Sequence, residues 1–277
     1  MKQVLLSIIA SMMFFSCVST DEETIDSTTF TPKFDNDYTQ CSTPILGESS
    51  ITFNAGRVRS VGVYKNISKI TATVDLSGLD NINGVNASFY MVNGSGEYCD
   101  AGESGSPYCN EIDFLETNGN VATQTSIHLN HQQSYEYAYL HSLLTNPCWD
   151  QEKMKESIND GIYDASVIDP TRPFDVITEF ASDYSNMTTT FVQDGNTVVV
   201  YDFLKNAAAT GSGLQNLDGL AESMEQGWKI VASLWQGYSP NPNSSYRFDD
   251  PACKEWSDVC SGKYIISNIK VTAEAEL

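Results

Sequence analysis

The stretch Tyr108–Gly119, YCNEIDFLETNG, crowds three acids together at Glu111, Asp113 and Glu116. In a β-strand successive side chains point to opposite faces, so Glu111 and Asp113 share one face while Ile112 and Phe114 share the other. Glu116 lies five residues past Glu111, which in a regular strand puts it on the wrong side. A single β-bulge at Phe114-Leu115 absorbs the extra residue and turns Glu116 back onto the Glu111 face. The spacing therefore predicts a bulged strand with a row of three carboxyls, closed by the turn dipeptide Asn118-Gly119.

Working outward, the neighbours also read as strands. SKITATVDLSGL (68–79) alternates apolar and polar residues. In GVNASFYMVN (84–93), Asn86, Ser88 and Tyr90 oppose Val85, Ala87 and Phe89. VATQTSIHLN (121–130) follows the acid strand as its expected antiparallel neighbour. RPFDVITEFAS, MTTTFVQDG and NTVVVYDF form a further run, with Asp194-Gly195 a hairpin signal. WDQEKMKESINDG (149–161) reads as a short helix or helical loop ending at Gly161, and LDGLAESMEQG as a helix that stops at Gly227. WKIVASLWQGY reads as a buried strand and KYIISNIKVTAEAEL as a last one at a sheet edge. Many strands and one or two short helices predict an all-β sandwich of jelly-roll type.

The N-terminus reads as an export segment. A lysine at position 2 is followed by a twelve-residue apolar run, too short to span a bilayer, and then by FSC. The small residue before Cys17 resembles a lipobox, in which that cysteine carries the lipid. The acidic run STDEETID resembles the surface-export signal of certain bacterial lipoproteins. An ordinary cleaved secretory peptide is the alternative. Residues 1–17 are thus expected to be the signal segment, 18–38 a polar flexible tether, and 39–277 one domain. The chain is expected to be secreted or held at the cell surface.

Seven cysteines leave six after Cys17, an even count that suggests three disulfides in an exported chain. The local pairs Cys99–Cys109 and Cys253–Cys260 are plausible, leaving Cys41–Cys148. No CxxC is present and the histidines are only His128, His131 and His141, so no metal site is expected. The net charge of −21 disfavours nucleic acids and anionic membranes as partners. A neutral polysaccharide incurs no such repulsion.

Two carboxyls about 5–5.5 Å apart support retaining glycoside hydrolysis, with one as nucleophile and one as acid/base, and a third can tune the nucleophile. Crowding like charges raises at least one pKa, which keeps an acid protonated near neutrality. A solvated acidic strand face is the plain alternative in so acidic a chain.

EIDFLETN resembles the catalytic strand of glycoside hydrolase clan B, shared by family 7 cellulases and family 16 β-glucanases. The likeness to family 7 keeps chain order. VDLSGL, GVNASFYMV, YCDAG, TSIHL, PFDVITEF, TTFVQDGNTV, GLAESMEQGWKIVASLWQGY and SNIKV each resemble successive pieces of that family over roughly residues 70–272. The resemblance implies a concanavalin-like jelly roll. It also implies Glu111 as nucleophile, Asp113 as its partner and Glu116 as acid/base, with His128 near Glu116. Trp235 would be a sugar-stacking platform or, alternatively, a core residue; Trp149, Trp228 and Trp256 are weaker candidates. Asn86 and Tyr90 would line the substrate face, or simply pack. Leu115 stands where family 7 members usually have tryptophan, and the chain is shorter than they are. The expected activity is endo-type cleavage of a β-glucan (β-1,4 or β-1,3/1,4) in an open cleft, by a monomer without a cofactor. The alternatives are a non-catalytic carbohydrate-binding lipoprotein on the same fold, a transglycosylase, and a structural adhesin.

Overall fold

The computed structural model describes residues 27–79, 82, 85–94, 98–101, 107–118, 122–140, 163–205, 214, 216–236 and 259–277. The first strands are β1 (Thr28–Phe30), β2 (Phe34–Thr39), β3 (Ile45–Leu46), β4 (Ser50–Phe53), β5 (Gly56–Ser60) and β6 (Tyr64–Lys65). The middle of the chain gives β7 (Lys69–Asp75), β8 (Val85–Asn93), β9 (Glu111–Asn118), β10 (Ala122–Leu129), β11 (Gln132–Leu140) and β12 (Tyr163–Ala165). Then come β13 (Phe174–Phe180), β14 (Met187–Gln193), β15 (Asn196–Asp202), helix α1 (Leu220–Gln226), β16 (Trp228–Gln236), β17 (Tyr264–Ala273) and β18 (Ala275–Glu276).

These strands build a two-sheet jelly-roll sandwich. An eight-stranded sheet runs β15-β14-β13-β7-β17-β4-β3, with β1 beside β17. A ten-stranded sheet runs β12-β11-β10-β9-β8-β16-β5-β2, with β6 and β18 alongside. Alternation places the core. Ile70, Ala72 and Val74 of β7 and Phe174 and Val176 of β13 face Val85, Ala87, Phe89 and Met91 of β8 in one apolar cluster between the sheets. On β16, Trp228, Ile230, Ala232 and Leu234 join that cluster, while Val231 packs with Tyr90, Val92, Cys99 and Cys109 on the opposite, outer face of the ten-stranded sheet.

The turn chemistry agrees with the sequence. Asp194 (φ 51°) and Gly195 (φ 82°) turn β14 into β15. Gly227 ends α1 at φ 105° and donates its N–H to Ser223 O. A Cβ there would also sit 2.5 Å from Val63, so glycine is required on two counts.

Three expectations need correction. Paired strands begin at Thr28, inside the stretch read as tether, because β1 pairs with β17 and β2 with β5. Their side chains are mostly exposed apart from Phe30 and Phe34, which pack on the core, and backbone pairing, with the Arg57–Asp37 ion pair on β2, holds them without an apolar alternation to read. Strand β17 is interior rather than at an edge. It pairs with β7 on one side and with β4 and β1 on the other, since the N-terminal strands return to cover it. Cys41 bonds to Cys260, not to Cys148, and Cys260 is therefore not paired with Cys253. The β4–β5 turn gathers both partners. The Cys41 N–H points to Ala55 O, and the adjacent Asn54 side chain donates to Gly262 O. Cys99–Cys109 forms as expected. The 149–161 helix, Trp149, Trp256, His141, Cys17, Cys148 and Cys253 lie outside the described residues.

On β11, Ala138 and Leu140 turn inward, and so does Glu136, which is only 5% exposed. Burial pushes its carboxyl up to about 7. A carboxyl raised by folding binds more protons folded than unfolded, so its contribution is intact at low pH and is lost as pH rises towards 7. Glu136→Gln should therefore stabilise the chain at pH 8 by on the order of 2–3 kcal/mol and change little at pH 4, as read by urea denaturation at both pH values.

Candidate active site

The bulge lies where the acid spacing requires it. Against β8, Leu115 pairs with Phe89 and Asp113 with Tyr90, so Phe114 is the extra residue. Against β10, Glu116 pairs with Gln124 and Asp113 with Ser126, again with one residue too many on β9. Phe114 and Leu115 both enter the inter-sheet core beside Ile112, and Phe114 meets Phe89 edge-on at 5.1 Å. Glu111, Asp113 and Glu116 are left on the outer face.

Each carboxyl is held differently. Glu116 accepts a hydrogen bond from Asn86 Nδ2 (2.8 Å) on one oxygen and from Gln124 Nε2 (3.0 Å) on the other. Burial, then the charge of Asp113, push it up to about 8, partly offset by the Asn86 bond. Asp113, 2% exposed, accepts a short hydrogen bond from Ser126 Oγ and lies 3.5 Å from His128 Nε2. Ser126 Oγ is also 3.1 Å from that ring nitrogen. Glu111 Oε2 accepts the backbone N–H of Ala101 at 2.8 Å. Burial first, then Asp113 and Asp100, raise Glu111 well above the ordinary carboxylate range, while the Ala101 N–H acts in the opposite direction.

The other residues singled out in the sequence fall around this row. Asn86 and Tyr90 are on the outer face of β8, buried. Trp235 is on the outer face of β16, partly exposed and paired in register with Asn86. Trp228 faces inward with its indole N–H on Ser223 O, a core residue and not a platform. His128 sits opposite Glu111 and reaches Asp113. The residue opposite Glu116 is Gln124. The pairing sets Gln124 against Glu116 before the bulge is reached, so His128, four residues further on, lies at the Glu111 end of the row.

Sequence reading missed Gln124 and Ser126, although the alternation of TQTSIHL puts both on the His128 face. It also missed the outer network of Tyr98, Asp100 and Arg57. Tyr98 Oη donates to Asp100 Oδ2 (2.6 Å) and meets Tyr90 Oη (2.8 Å), and the Arg57 guanidinium lies 3.2 Å over the Tyr98 ring while pairing with Asp37. Tyr98 and Asp100 are neighbours within YCDAG, but nothing local connects them to Arg57; sheet order brings it to them.

No protein-family model matches the chain, and no curated protein sequence matches it. Solved structures do resemble it. A GH7 family cellobiohydrolase from Daphnia pulex superposes with a TM-score of 0.51 at 15% identity, over 82% of this chain and 78% of that one. The native Humicola insolens endocellulase EGI superposes at 0.50 and 14% identity, over 82% and 76%. An endoglucanase I complexed with cellobiose gives 0.50 and 14%, over 82% and 77%. At such identity the likeness speaks for the fold: this chain has the β-jelly-roll sandwich architecture found in those glycoside hydrolases.

Proposed function

We propose that the chain is a retaining, endo-acting glycoside hydrolase that cleaves a β-glucan of β-1,4 or mixed β-1,3/1,4 linkage. The observation that carries this reading is the bulge, which spends an irregular strand on keeping three carboxyls in one outward row. Glu111 attacks the anomeric carbon and forms the glycosyl-enzyme. Glu116 gives its proton to the leaving oxygen, then takes one from the water that releases the sugar. Ser126 and His128 hold Asp113 in place beside Glu111. Asn86 and Gln124 grip both oxygens of Glu116 and fix its direction. Trp235 offers a flat apolar face to a pyranose ring along the same side of the sheet. The N-terminal segment exports the chain, placing it where such polymers occur.

The protonation state sets a pH range. Glu116 must be protonated to act as the acid, so kcat/KM should hold up to about pH 8 and fall tenfold per pH unit beyond it. A pH–rate profile on a soluble glucan measures this. The reading itself is tested by reducing-sugar release from a panel of soluble β-glucans and xylan, with the anomer of the first product followed by proton NMR. Release with the β-anomer first is expected. No release from any polymer, with a glucan still bound, would leave a carbohydrate-binding protein.

A further inference from the structure

The loop that reaches Glu111 has a construction the reaction alone does not demand. Ala101 supplies a backbone N–H to Oε2 of Glu111 at 2.8 Å, and Ala101 follows the Cys99–Cys109 bridge by two residues. Cys109 is itself two residues before Glu111, so the bridge ties the loop to the same strand that carries the carboxyl. Asp100 is pinned between them. Its N–H donates to Pro107 O (3.1 Å), its carbonyl accepts the Cys109 N–H (3.3 Å), and its carboxyl accepts the Tyr98 hydroxyl (2.6 Å). Tyr98 is held in turn by Tyr90 and by Arg57. The sulfurs pack with Tyr90, Val92 and Val231 on the outer face of the sheet, so the bridge is anchored to β8 and β16 as well.

We infer that the Cys99–Cys109 bridge is a positioning device for Glu111, fixing the Ala101 N–H on its carboxylate and so favouring the anion. The groups that face Glu111 explain why a dedicated donor is needed. Asp113 on its own strand and Asp100 on the loop both oppose a second negative charge there. Tyr90 faces it from β8, and His128 stands in register from β10 with its ring turned to Asp113 and Ser126. Arg57 of β5 is the guanidinium of this group and is engaged with Tyr98 and Asp37. A neutral N–H at hydrogen-bond distance stabilises the anion without adding a charge that Glu116 would also feel.

The consequence for turnover rests on Glu111 as nucleophile, but the positioning itself does not, and it can be read without activity. In the wild-type full-length chain, the Ala101 amide proton shift should titrate with the same midpoint as the Glu111 carboxyl carbon, and this should vanish in Glu111→Gln. Ala101→Pro removes the donor, and Cys99→Ser/Cys109→Ser frees the loop. Each should raise the Glu111 midpoint by about one pH unit, and the acid limb of kcat/KM should move up with it. Ala101→Gly keeps the N–H and should leave the midpoint in place. Cys41→Ser/Cys260→Ser, which opens the distant bridge, should also leave it in place while lowering Tm. A Glu111 midpoint unmoved in Ala101→Pro or in the Cys99/Cys109 variant, or an Ala101 amide blind to the Glu111 titration, would overturn the assignment. If no glucan is cleaved by the wild type, the hydrolase reading fails while the carboxyl titration still decides this one.

Discussion

Glu111→Gly and Glu116→Gly should each lower glucan cleavage by roughly 10⁴-fold or more, and the two losses should respond differently to substrate and to added anion. On a polymer the leaving group is a sugar hydroxyl that needs a proton, so loss of Glu116 stops the first step. On an aryl glycoside with an acidic phenol it does not. Glu116→Gly should then form the glycosyl-enzyme and stall, giving a burst of phenol. Azide, which needs no general base, should release the stalled sugar as the β-glycosyl azide, displacing the Glu111 carboxylate with a second inversion. Glu111→Gly should give no burst, and azide entering the space left by the carboxylate should give the α-glycosyl azide by a single inversion. Opposite anomers from the two variants would assign both roles. The same anomer from both, or full activity in either, would refute the division of labour between these carboxyls. Asp113 touches neither reacting atom in this scheme. Asp113→Asn should cost less in rate, since asparagine can still accept from Ser126.

What made the site readable was a conflict between two regularities in one strand. Apolar residues at 112, 114 and 115 demand the core, acids at 111, 113 and 116 demand the other face, and only a bulge satisfies both. Strands β7, β13, β14 and β17 were readable for a similar reason, because buried and more open positions alternate along much of each. The strands before residue 66 were harder. Asp35, Asp37, Arg57 and Arg59 carry charges on the outer face, and the apolar alternation is reduced to Val58 and a few neighbours. The positioning network around Glu111 was not legible at all. Tyr98 and Asp100 are close in sequence to one another and to Glu111, but Arg57 is remote, and its arrival over Tyr98 is a property of strand order β9-β8-β16-β5. Local pattern gives faces; which face-mates become neighbours depends on a topology that pattern does not encode.

The cysteines show the same limit and lead to the second large effect. Sequence proximity favours Cys253–Cys260, yet Cys260 bonds to Cys41 across a separation of 219 residues. Closing so long a loop removes more unfolded-chain entropy than closing the ten-residue separation of Cys99–Cys109. The chain-entropy relation puts the long bridge at about 5 kcal/mol and the short one at roughly half of that. The long bridge also joins the end of β2 to the turn that leads into β17, and β2 buries too little side chain to hold itself against β5 alone. Cys41→Ser/Cys260→Ser should therefore lower stability by about 3–5 kcal/mol and Tm by roughly 10–15 °C, with β1 and β2 losing amide protection first. The Cys99/Cys109 variant should lose about half as much stability and yet be the one that moves the Glu111 titration. One bridge thus governs how firmly the sandwich closes, the other how its carboxyl is presented. Peptide mapping of the unreduced chain checks the pairing directly. If Cys260 were found on Cys253, removing Cys41 would cost little, and β2 would be held by its pairing with β5 and by Asp37 with its arginines.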